Sequence, residues 1–118
     1  MARPTAARKA QRAARAALDK KAIDLVVLDV QGLSSVADYF LVCSGRSTPH
    51  VKAISDAIRE ELRDEGARPL HQEGQAESGW LLLDYGDVLM HVFAEDTRAY
   101  YALERLWGDA PSLPVDGA

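Results

Sequence analysis

The stretch Tyr39-Phe40-Leu41-Val42-Cys43-Ser44-Gly45-Arg46-Ser47-Thr48-Pro49-His50-Val51 decides the fold class. Tyr39 to Cys43 is apolar and rich in β formers, the pattern of a buried strand. It breaks at Gly45. Ser47 or Thr48 then offers an N-cap oxygen, and Pro49 suits the first helical turn. Val51, Ile54, Ala57, Ile58 and Leu62 recur at helical spacing, while Arg59, Glu60, Arg63 and Asp64 take the wet side. Gly66 stops the helix where a left-handed cap residue is wanted.

Upstream, Leu25 to Val30 reads as another strand, followed by turn residues Gln31 to Ser35. Both strands are apolar almost throughout, which predicts central positions in a sheet. Residues 2–22 are mainly Ala and Arg, good helix formers without a hydrophobic stripe. The first half of that helix is expected to fray, with Ala16 to Ile23 able to dock.

Downstream, Arg68 to Glu73 predicts a third strand, with Pro69 near its start or on an edge. Gly74 to Gly79 reads as a polar loop. Trp80 to Asp84 and Val88 to Phe93 are two further strands, joined by a tight hairpin at Tyr85-Gly86. Glu95 to Trp107 closes as a helix, with Tyr100, Leu103 and Trp107 on one stripe. Pro111 and Pro114 mark a loose tail.

The order α-β-β-α-β-β-β-α predicts an α/β chain of the α+β type, a five-stranded mixed sheet with helices mainly on one face. The chain divides into a basic flexible arm (1–15), one domain (16–108) and the tail (109–118). In the Trp80 strand, Trp80, Leu82 and Asp84 alternate onto one face and Leu81, Leu83 and Tyr85 onto the other. Trp80 is then either an anchor on the open face or a core residue covered by the amino-terminal helix.

With 118 residues, 47% hydrophobic and 27% charged, one globular domain is expected. One cysteine excludes an internal disulfide, and no apolar run reaches membrane-spanning length, so a cytosolic protein is expected. Residues 1–21 carry a net charge of +6 and the remainder −10, giving −4 overall. An acidic body favours basic partners and repels free nucleic acid. The arm could touch RNA phosphate, although an exposed basic helix is more often simply solvated. A second reading of the arm is an organellar presequence, against which stands its weak amphipathic face.

Catalytic chemistry finds little support. Ser44-Gly45-Arg46-Ser47 matches neither a P-loop nor a dinucleotide fingerprint. His50, His71, His91 and Cys43 fit no compact zinc spacing, and Cys43 reads as a small core residue. Asp84 and Asp87 flank a turn, where Asp is selected for turn geometry as readily as for acid–base work. No catalytic set, metal or cofactor is expected.

Leu28-Asp29-Val30-Gln31-Gly32-Leu33-Ser34-Ser35-Val36-Ala37-Asp38-Tyr39-Phe40 resembles the ribosomal silencing factor, or Iojap, family. So do Cys43 to Val51, Glu73-Gly74, Trp80 through Asp84-Tyr85-Gly86-Asp87-Val88 to His91-Val92-Phe93, and Tyr101, Leu103-Glu104 and Leu106-Trp107. The resemblance covers residues 20–108 without large gaps. It implies a nucleotidyltransferase-like fold, a homodimer when free, and binding to the large ribosomal subunit at its fourteenth ribosomal protein. That binding would block joining with the small subunit and repress translation when nutrients are scarce. Nucleotidyl transfer itself needs acids for magnesium and a Gly-Ser turn for phosphate. Here the turn is reversed as Ser44-Gly45, and the strand after the helix offers only Glu73. A binding module is the better reading; a nucleotide-binding enzyme is the alternative. The ribosomal-protein-binding patch is expected at Trp80, Asp84, Tyr85 and Asp87, with Glu73 and Tyr101 beside it, and a weak ribosomal RNA contact is assigned to the basic arm.

Overall fold

A computed structural model describes residues 4–35, 37–95 and 110–115. The elements are α1 (Ala6–Asp19), β1 (Ile23–Asp29), β2 (Tyr39–Gly45), α2 (Thr48–Asp64), β3 (His71–Gln75), a 3-10 turn (Ala76–Ser78), β4 (Trp80–Asp84) and β5 (Val88–Ala94). They form a five-stranded mixed sheet in the order β1-β2-β5-β4-β3. Among these described strands β2 and β5 pair in parallel and the other neighbours are antiparallel. No helix among the described residues is long and apolar enough to cross a membrane.

Both described helices pack on one face, as expected. Val51, Ile54, Ile58 and Leu62 of α2 meet Leu41 and Cys43 of β2, Leu81 and Leu83 of β4, and Met90 and Val92 of β5 in one buried cluster. Ser47 is the N-cap of α2, its Oγ accepting from His50 N–H at 3.2 Å. Gly45 permits the close approach there, since a Cβ would lie 2.9 Å from the Val51 nitrogen. His50 joins two elements: its Nδ1 accepts from Arg46 N–H (2.9 Å), so Nε2 carries the proton, 2.7 Å from the Lys20 carbonyl at the end of α1.

Four expectations need correction. The amino-terminal helix does not fray up to Ala16: it starts at Ala6, capped by Thr5, and buries Ala10, Ala13, Ala14, Ala16 and Ala17. Alanine is too small to register as a hydrophobic stripe, yet it lets two helices approach closely. The basic residues there are held too, Arg8 by Glu65 (2.7 Å), Lys9 by Asp87 (2.6 Å), and Arg12 by Glu61 (3.0 Å) and Glu65 (2.9 Å).

The second correction is that β1 lies at the sheet edge, not its centre. It is apolar because its two faces feed two clusters, Val27 on the helix face and Leu28 on the other. Its outer rim is also covered. Asp29 N–H donates to the Pro111 carbonyl and Leu113 N–H to the Val27 carbonyl, each at 2.8 Å. So the tail, third, is not loose over 110–115; Leu113 and Val115 pack against the main cluster.

Fourth, β3 runs from His71 to Gln75 rather than from Arg68 to Glu73. Gly74 stays inside the strand with φ +78, so the expected loop shrinks to the 3-10 turn. The β4–β5 turn spans Tyr85 to Asp87, with Gly86 at φ +86 and Tyr85 N–H bonded to the Val88 carbonyl at 3.0 Å. Beyond Glu95 the expected closing helix, Tyr101 included, falls outside the described residues.

Candidate binding face of the sheet

The face of the sheet away from α1 and α2 is built by register. Directly opposed residues in a ladder point the same way. Trp80 opposes Phe93, Leu82 opposes His91 and Asp84 opposes Leu89. Across β3, Gln75 opposes Trp80, Glu73 opposes Leu82 and His71 opposes Asp84. Glu73, Trp80 and Asp84 therefore share one face, with Leu82 between them.

Trp80 is half-buried there, and the amino-terminal helix is on the opposite side. Its ring stacks on His91 (centroids 6.2 Å apart) and Phe93 (6.4 Å), and its N–H donates to His91 Nδ1 at 3.2 Å. Gly74 leaves room for this, because a Cβ there would meet the Trp80 carbonyl oxygen at 2.3 Å and the ring at 3.1 Å. Burial without a countercharge pushes the His91 pKa down to about 4, so the ring is neutral near pH 7. Phe40 meets His91 edge-on at 5.7 Å.

The carboxylates have distinct surroundings. Glu73 is exposed and accepts from His71 Nε2 at 2.9 Å. Asp84 Oδ1 accepts from Gly86 N–H at 2.7 Å and so shapes the turn, with its side chain only partly covered. Asp87 does not join this face: its carboxylate holds Lys9 of α1. Tyr85 is buried among the helix-side cluster, and desolvation there raises its pKa to about 12. The expected patch is thus brought together at Glu73, Trp80 and Asp84, and divided at Tyr85 and Asp87. Tyr101 lies outside the described residues.

Sequence reasoning missed Gly74, His91 and Phe93 as supports of this face. The alternation Leu89, His91, Phe93 was visible, but only the β4–β5 register puts those residues under Trp80. A half-exposed aromatic beside two carboxylates is chemically suited to a basic, partly apolar protein surface.

The family model described as "Ribosomal silencing factor during starvation" matches residues 3–118. The chain belongs to the ribosomal silencing factor family. A ribosomal silencing factor of Bacillus subtilis is 48% identical over 104 residues, covering 88% of each chain. Another, from Halalkalibacterium halodurans, is 44% identical over 107 residues, covering 91% of this chain and 92% of its own. A crystal structure of a protein from Chromobacterium violaceum superposes with a TM-score of 0.85 at 30% identity, covering 98% of this chain and 95% of that one. Ribosomal silencing factors are regulatory proteins rather than known enzymes, and membership implies a ribosome-associated role in translation.

Proposed function

We propose that this chain binds the large ribosomal subunit at its fourteenth ribosomal protein and blocks joining with the small subunit, repressing translation in the cytoplasm under nutrient limitation. The family match along the whole described fold carries this reading. The contact centres on Trp80, with Glu73 and Asp84 facing a basic surface. Charge complementarity supports it, since the chain beyond residue 21 is strongly acidic. Asp87 and Tyr85 act from behind, holding the hairpin to α1 and to the core. The free chain is a homodimer in this reading, which light scattering would report as about twice 12.9 kDa.

The test is light scattering of purified subunits mixed with saturating protein. Association of the subunits should fall. Asp84→Asn keeps a turn acceptor while deleting the charge, so it should fold normally and bind large subunits more weakly. Normal subunit association at saturation would overturn the proposal.

A further inference from the structure

Three cations of the amino-terminal helix that were candidates for RNA contact are engaged: Arg8, Lys9 and Arg12 each hold an acid. A different set of cations is not. Gly66, at φ +88, turns the chain back after α2, with Ala67 N–H closing on the Leu62 carbonyl at 2.7 Å. The returning segment lays Arg68 and Pro69 beside Arg59 and Arg63, forming an open groove of about 530 Å³. Arg59 braces it, bonded to Asp56 and to Gln72 of β3, both at 2.8 Å. Arg63 and Arg68 are exposed, and no acid among the described residues pairs with either. With Glu60 as the remaining acid in the lining, the groove has a cationic surplus on an otherwise acidic body. The neighbouring groove between α1 and α2 has none: Asp19, Glu60, Glu61 and Asp64 outnumber its three cations.

Guanidinium groups match phosphate in shape and stay charged at any physiological pH. We propose that the Arg63–Arg68 groove takes backbone phosphates of ribosomal RNA on the large subunit, while the Trp80 face takes ribosomal protein. This rests on the ribosome-bound reading above. The edge strand β3 joins the two surfaces. Gln72 reaches the groove through Arg59, and Glu73 stands on the sheet face. A partner surface wrapped around that edge touches both at once. The proposed RNA contact is placed in this groove rather than on Arg8, Lys9 and Arg12, which hold acids.

The salt dependence of binding distinguishes a phosphate contact from a protein contact. Each phosphate neutralised contributes ~0.7–0.9 to the slope of log affinity against log salt. Binding of the full chain to purified large subunits should be measured from 50 to 200 mM KCl at fixed magnesium, for the parent, Arg63→Ala/Arg68→Ala and Arg63→Lys/Arg68→Lys. Over that range the parent should lose about tenfold more affinity than the double alanine variant, from two phosphates fewer in the latter. The lysine variant should retain most of the parent's slope. Affinity for the isolated fourteenth ribosomal protein should be the same for all three. Equal slopes for parent and alanine variant overturn the proposal. So does an equal loss on the isolated protein, which would make the groove a protein site. A parent chain that does not bind large subunits at all instead overturns the ribosome reading, and this inference with it.

Discussion

Trp80 and His91 are held together by one hydrogen bond, indole N–H to imidazole Nδ1 at 3.2 Å, on top of a stacked contact. The bond requires a neutral ring with its proton on Nε2, because a protonated Nδ1 would face the indole N–H donor to donor. The pairing thereby ties the half-buried anchor of the candidate face to the protonation of a residue beneath it.

Stability should fall in a defined acid window. His91 titrates near 4 in the folded chain and near 6.5 unfolded, so above pH 6.5 it is neutral in both states and its contribution is fully present. As pH falls from 6.5 towards 4 the unfolded state takes up a proton and the folded state does not. Stability is then lost progressively, by about 3 kcal/mol in all. Urea unfolding at pH 7.5, 6, 5 and 4 measures it, and His91→Gln should show a correspondingly flatter profile.

Trp80 should report on binding and on folding separately. Trp80→Phe keeps an aromatic ring but leaves Nδ1 of buried His91 without its donor, a cost of ~1–3 kcal/mol. Trp80→Ala removes the anchor as well, and large-subunit affinity should drop by about thirtyfold or more, ~2 kcal/mol. Thermal melts beside sedimentation with large subunits give both quantities. A folded Trp80→Ala chain that binds as tightly as the parent would move the contact elsewhere.

Gly74→Ala should be damaging although the position is exposed. The backbone there has φ +78, and the new Cβ would lie 2.3 Å from the Trp80 carbonyl oxygen. Strain and displacement of β3 should cost ~2 kcal/mol or more. Hydrogen exchange should show the loss concentrated in β3 and β4, with α1 and α2 still protected.

Ala13 should tolerate nothing larger. It is fully buried in α1, so Ala13→Leu should overpack the helix layer by ~1–3 kcal/mol. Arg15→Ala, on the exposed side of the same helix, should stay within ~0.5 kcal/mol of the parent. Chemical denaturation of both variants compares a docked helix with a solvated arm, for which neither change would matter.

The order of elements through β5 was legible because β2, α2 and the β4–β5 hairpin carry strong periodic patterns and caps. Placement within the sheet was not. A continuous apolar run such as Leu25 to Leu28 looks central whether its rim is covered by a strand or, as here, by residues 110–115. Burial through alanine left the docking of α1 invisible to a hydrophobic pattern. At the site, alternation already set Tyr85 apart from Trp80 and Asp84, and the fold keeps them on opposite faces of the sheet. Lys9 and Asp87 lie far apart in the sequence, so nothing local announced that Asp87 was committed.

Among the described strands the parallel pair, β2 with β5, lies at the centre of the sheet and has α2, β3 and β4 between its two members. That pairing therefore cannot form before β5 is made. When β2 leaves the exit tunnel its partner has not been made, and α1 and α2 have no completed sheet to cover. Contacts so distant in sequence close slowly. A nascent chain of this design stays incomplete until Val88–Ala94 has emerged, and the rim of β1 waits longer still for residues 110–115. The Trp80 face needs His91 and Phe93 of β5 beneath it, so a partly made copy lacks that face.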